Sequence, residues 1–134
     1  MNSSIVRTLV TFGLSAAALM AQGPLKATIP FDFNVGSKSF AAGVYTVHQV
    51  NGHLLKIQNI NGETGILEMV QPADPPSKRG TCLLTFNRYG SSYFLAKVSE
   101  DTKAWNFHRS RAEKEMLARV SQPKAEIVAA LRSK

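Results

Sequence analysis

The 134-residue chain holds one cysteine, three histidines, one tryptophan and nine acidic residues, and each scarcity removes a class of function. A lone Cys82 cannot form an intramolecular disulfide, so covalent stapling contributes nothing inside one chain. It is left to be buried and inert or to pair between chains, and its setting in Thr81-Cys82-Leu83-Leu84, a strand interior, favours burial. His48, His53 and His108 form no closely spaced ligand pair, and an apolar-faced thiol is a poor nucleophile, so no metal and no cysteine chemistry is expected. Few acids leave no evident pair for general acid and base work: Glu113, Glu115 and Glu126 belong to the C-terminal segment and Glu100-Asp101 to a turn. Glycine-rich phosphate loops and nucleotide fingerprints are missing. The expectation is a protein that is not an enzyme and carries no cofactor.

Long apolar runs are also short here. Arg7 is followed by an uncharged stretch from Thr8 to Met20, rich in Ala and Leu. As a helix it would rise only about 20 Å, against roughly 30 Å of bilayer hydrocarbon, so no lasting transmembrane anchor is expected. A basic n-region, an apolar h-region and a break at Gln22-Gly23-Pro24 read as a signal peptide, residues 1–21. Cleavage is expected after Ala21, with Ala27 the alternative; no cysteine flanks the junction, which excludes a bacterial lipoprotein anchor. The chain is expected to be secreted or periplasmic, with residues 22–134 forming one β-rich domain.

What is plentiful is positive charge. With Arg7 removed, fifteen Lys and Arg face nine Asp and Glu, a net charge of +6. From Lys103 onward eight basic residues face three acids. Exported proteins seldom meet nucleic acid, so the partner expected is an anionic envelope component: an acidic polysaccharide, a lipid head group or an acidic protein. Candidate contact residues are Lys78 and Arg79, which close the proline-containing stretch Gln71 to Arg79, and Arg88 at a strand end. A structural reading competes at Arg88-Tyr89-Gly90, where Gly90 supplies a positive φ, Tyr89 packs its ring and Arg88 snorkels.

Short runs rich in Val, Ile, Leu, Phe and Tyr alternate with Gly, Asn, Pro and Asp every eight to twelve residues, the pattern of a small barrel or sandwich. Strands are predicted over residues 28–34, 38–40, 44–49, 53–59, 65–70, 81–88, 92–99 and 104–109, as an antiparallel meander of about eight. Sequence spacing also predicts faces. A three-residue loop Val50-Asn51-Gly52, with Gly52 left-handed, places Tyr45, Val47, Leu55 and Ile57 together. A loop at Tyr89-Gly90-Ser91 groups Leu84 and Phe86 with Phe94 and Ala96, and Val98, Trp105 and Phe107 extend that face. Ser110 and Glu113 form a capping box that opens a helix over 111–120, with Ala112, Met116, Leu117 and Val120 as its apolar stripe. Residues 125–131 read as a strand or a second helix, with Ile127-Val128 inclining to strand.

Three stretches, Ile29-Pro30-Phe31-Asp32-Phe33, Ala42-Gly43-Val44-Tyr45-Thr46-Val47 and Phe86 to Leu95, resemble a family of small, signal-bearing, uncharacterised secreted proteins common in acidobacteria. Ser91 stands where that pattern has an acid. The resemblance implies export and a β-fold; it implies no activity, substrate or catalytic residue. On these grounds the chain is expected to be a non-enzymatic interaction module. The alternative is a lipocalin-like carrier, a small barrel holding an apolar ligand, since about eight strands either fill a barrel or enclose one small molecule.

Overall fold

The computed structural model describes residues 23–132 except 76, 77, 79 and 121. The expected signal segment, residues 1–21, therefore lies outside the described residues. Eleven strands and one helix follow in order: β1 (Leu25–Ile29), β2 (Phe33–Val35), β3 (Lys38–Phe40), β4 (Gly43–Asn51), β5 (Leu54–Asn59), β6 (Gly65–Ala73), β7 (Cys82–Tyr89), β8 (Ser92–Glu100), β9 (Lys103–Phe107), α1 (Arg111–Arg119), β10 (Lys124–Ala129) and β11 (Leu131–Arg132). The fold is mostly β and sandwich-like, as expected, with one helix near the C-terminus among the described residues and more strands than the sequence pattern indicated.

Two antiparallel meanders, β4-β5-β6 and β7-β8-β9, are joined through β6 and β9. Strand β6 changes partner midway: Gly65–Met69 pair with β5, and Val70–Ala73 pair with β9. A strand shared this way makes a corner between two packed layers. The C-terminal segment does the same, with β10 on β7 and, after a break at Ala130, β11 on β1. One sheet thus runs β11-β1-β4-β5-β6 and the other β6-β9-β8-β7-β10, rather than one ladder closed into a barrel.

The corner in β6 corrects the sequence reading of Gln71 to Arg79 as irregular throughout. Gln71–Ala73 are strand, including Pro72 opposite Trp105. Val70 donates its N–H to His53 across the β5 side, so by alternation the nitrogen of Pro72 also points to that side, beyond the end of β5. The missing N–H costs no ladder bond there. Another correction is at residues 28–34, where two strands stand in place of one. Pro30 interrupts the ladder, and the Asp32 carboxylate accepts the Ala42 N–H at 2.9 Å to hold the bend.

Between the layers sit Leu25, Ile29, Phe33, Val35, Tyr45 and their neighbours, each almost fully buried. Phe33 is the hub of the aromatic packing, 5.4 Å from Phe40, 5.0 Å from Tyr45 and 5.5 Å from Phe86 between ring centres. Tyr45 reaches through this layer to give its hydroxyl to the Ala41 carbonyl at 2.6 Å. The faces of the first hairpin are as predicted, with Tyr45, Val47, Leu55 and Ile57 all buried. Its turn differs: Asn51 opposes Leu54 around Gly52-His53, a bulge falls at Val50, and Gly52 is not left-handed.

In the second hairpin Gly90 does adopt a positive φ of 62°. The turn is two residues, Gly90-Ser91, and a bulge at Ala96 shifts the register. Leu95 therefore faces inward with Phe86, while Phe94, opposite Asn87, turns to the outer face. Phe94 is buried there against Tyr89 instead of joining Leu84 and Phe86.

Candidate functional site

Lys78, Arg79 and Arg88, the candidate contact residues of the sequence, would form one positive edge only if the fold joined the proline loop to the hairpin end, and the fold does not bring the described ones together. Lys78 is exposed just before β7, where its carbonyl accepts the Thr81 hydroxyl at 2.6 Å. Arg88 lies near the other end of that strand, roughly 20 Å away at about 3.3 Å per residue. Arg79 lies outside the described residues. Arg88 is also committed internally. Its Nε donates to the Gly90 carbonyl at 2.8 Å, one terminal nitrogen meets Glu126 at 3.3 Å, and the guanidinium stands 5.5 Å from the Tyr93 ring centre. The structural reading of Arg88-Tyr89-Gly90 is the one these contacts favour.

Beneath α1 lies a polar node that the sequence showed only in part. Ser110 accepts the Glu113 N–H at 3.2 Å, one half of the expected capping box. The Glu113 carboxylate does not complete the box: one oxygen accepts the Tyr89 hydroxyl at 2.8 Å and the Asn87 amide at 2.9 Å, with Arg109 at 3.7 Å. Glu113 is the buried residue of the helix, whereas Ala112 and Val120 of the expected apolar stripe are exposed and Met116 and Leu117 half-buried. The helix is therefore held by a charge-assisted hydrogen-bond cluster more than by an apolar stripe. A buried carboxylate beside a tyrosine could serve acid-base chemistry, but here the carboxylate faces partners from its own fold.

Burial first, then the hydrogen bond to Glu113 and that carboxylate's charge, push the Tyr89 hydroxyl up to about 12, against a pull from Arg109. The ordinary value is 10.0, so the neutral hydroxyl is what folding favours. Its contribution is complete below pH 10 and is lost as pH rises from there through 12. Unfolding measured across this window should show Tyr89→Phe abolishing a pH-dependent loss of ~2 to 3 kcal/mol. An unchanged alkaline slope in the variant would show that Tyr89 does not titrate this way.

Other groups are arranged structurally. Cys82 is half-buried at the start of β7, less enclosed than its sequence setting suggested, and its carbonyl accepts the Ala130 N–H. His48 points outward opposite Lys56, and His53 sits in the turn. Glu68 faces inward opposite Leu55, and burial raises its pKa while nearby His108 lowers it. Its carboxylate lies so close to Gly36 that a side-chain carbon there would collide with it, and Gly36 has a φ of 58° besides. An open cleft of about 360 Å³ runs past Asp32, Asn34, Ser39 and Ser92. Its polar atoms are largely satisfied within the fold: Ser39 donates to Asn34 at 2.7 Å and Asn34 to the Tyr93 carbonyl at 3.1 Å. Among the described residues no group of three metal-ligating side chains converges.

One surface was legible in the sequence only at Thr46, His48, Leu54 and Lys56, the outward side of the first hairpin. The ladder β11-β1-β4-β5-β6 places Leu131, Lys26, Thr46 and Gln58 in one outward row, His48, Lys56 and Leu67 in the next, and Leu54 with Met69 in a third. Leu67 is 55% exposed, Met69 67% and Leu131 77%. No acid lies in these rows; Glu68 is turned inward and Glu63 stands in the β5–β6 turn. The signal was present in the alternation of β6, Leu67-Glu68-Met69, which reads as an inward acid flanked by outward apolar residues once the register is known. No family model matches this chain, and no significant match to it was found among curated proteins or solved structures.

Proposed function

We propose that the protein is an exported, non-enzymatic interaction module of the bacterial periplasm or cell exterior that binds an anionic envelope component, in keeping with the signal-like N-terminus and the resemblance to secreted acidobacterial proteins. The observation that carries the reading is the distribution of charge. Four acids hold specific arginines: Glu100 with Arg132, Glu113 with Arg109, Glu115 with Arg111 and Glu126 with Arg88. Lys26, Lys56, Lys97, Lys103 and Lys124 form no ion pair among the described residues, so the excess positive charge is carried by lysines open to solvent or partly so. The filled space between the layers, occupied by Phe33, Tyr45 and Phe86, supports a module that binds on its outside and works against the carrier alternative.

The test is recovery of the protein from its native envelope at low salt, followed by elution with rising salt. Attraction between exposed charges is screened beyond about 8 Å at physiological ionic strength, so release should come at moderate salt. Intact mass should show a new N-terminus near Gln22. Full-length chain in the cytoplasm, or a protein that ignores anionic material at low salt, would overturn the proposal.

A further inference from the structure

Resting on that reading, we infer that the outward face of the β11-β1-β4-β5-β6 sheet is a docking surface for an anionic lipid bilayer. Lys26 and Lys56 meet head-group phosphates, and Leu67 and Met69 enter the acyl boundary. The face combines two features that such a surface rewards together. Its charge is of one sign, with two lysines, a histidine and no acid in its rows. Its long apolar side chains stand out from the sheet, Met69 at 67% and Leu67 at 55% exposure, beside half-buried Leu54.

Position strengthens the assignment. Among the described residues strand β6 has no strand partner along Gly65–Met69 on the side away from β5, because β9 pairs only from Val70 onward. Leu67 and Met69 are therefore at the rim of the sheet, where side chains reach a flat surface before the strands behind them do. The edge carries its own guard against another strand: Lys38 of the β2–β3 hairpin donates to the Gly65 carbonyl at 3.0 Å, capping the start of the edge with a charged side chain. Polysaccharide would use the lysines but gains nothing from an exposed thioether and leucine. A lipid interface uses both, since lysines near anionic head groups and buried apolar area contribute separately to binding.

The experiment is co-sedimentation of the mature chain with vesicles of phosphatidylcholine alone and of phosphatidylcholine mixed with phosphatidylglycerol, with a soluble acidic polysaccharide as the parallel arm. Wild-type protein should bind the phosphatidylglycerol vesicles and release with salt. Lys26→Ser with Lys56→Ser should weaken this on the order of 20-fold, whereas Lys97→Ser with Lys103→Ser, the same loss of charge from the other sheet, should change it less than about twofold. Leu67→Ser with Met69→Ser should reduce vesicle binding about tenfold or more and leave polysaccharide binding unchanged. All six positions are solvent-facing to some degree, and an unchanged melting temperature checks that each variant folds. Equal losses from both lysine pairs, or insensitivity to Leu67→Ser with Met69→Ser, would overturn the assignment of this face. Binding to polysaccharide but not to vesicles would overturn the lipid partner and leave the interaction module standing. Binding to neither would remove both.

Discussion

Phe33→Ala should destabilise the protein by about 3 to 5 kcal/mol, a large fraction of a total stability on the order of 5 to 15 kcal/mol for a domain of this size. The residue is 1% exposed and its ring meets Phe40, Tyr45 and Phe86, so truncation removes both transfer energy and the edge-to-face contacts on two sides. Tyr45 cannot collapse into the vacancy, because its hydroxyl is held by the Ala41 carbonyl. Denaturant unfolding should show a lowered midpoint with little change in slope. Phe33→Leu, which keeps most of the volume, should cost less than about 1.5 kcal/mol. A small loss for Phe33→Ala, together with uptake of an apolar dye into the folded variant and the wild type alike, would show that the interior has room to spare and would revive the carrier reading.

Why Phe33 rather than Phe94 is the position to truncate marks the boundary of what the sequence could say. Alternation assigned the inward residues of the first hairpin correctly although its turn was misread, because the turn is one residue shorter than expected and the bulge at Val50 adds one back, which keeps the same faces. On β8 the same logic failed after one step. The turn is two residues where three were expected, which flips Phe94 and Leu95, and a bulge at Ala96 then returns Val98 to its expected inward place; nothing in Phe94-Leu95-Ala96-Lys97-Val98 announces either. Local signals fared best: the Ser110 cap and the positive φ at Gly90 follow from neighbours in sequence, whereas residues 125–131, left open between strand and helix, are strand with a break at Ala130. Partner choice across the fold was not legible. The turn of β6 from β5 to β9, and with it the outward row of Leu67 and Met69, depends on pairings between residues more than thirty apart, as Val70 with Phe107. The candidate contact residues suffered from the same gap. Lys78 and Arg88 bracket one strand, and whether they meet depends on the fold and not on their spacing in sequence.

The buried end of α1 shows how a local motif can hide a distant one. Ser110-x-x-Glu113 reads as a capping box, in which the glutamate would serve its own helix, yet its carboxylate serves β7. Glu113→Ala should therefore cost more than loss of a cap, about 2 to 4 kcal/mol, since it strands the Tyr89 hydroxyl and the Asn87 amide beneath the helix with no acceptor. Ser110→Ala, which removes only the bond to the Glu113 N–H, should cost about 1 kcal/mol. Glu115→Ala is the control, an exposed acid in an i,i+4 pair with Arg111 at 3.6 Å, and should cost less than about 0.5 kcal/mol. Tyr89→Phe should cost about 1 kcal/mol on its own, and a double-mutant cycle with Glu113→Ala should return a coupling above about 0.5 kcal/mol. Hydrogen exchange locates the effect: amides of Arg111–Arg119 should lose protection in Glu113→Ala while those of β4 and β5 keep it, because the node holds the helix to the sheet and the aromatic layer does not depend on it. Equal costs for Glu113→Ala and Glu115→Ala, or a uniform loss of protection through both sheets, would mean that the helix is held by Met116 and Leu117 and that the carboxylate is incidental.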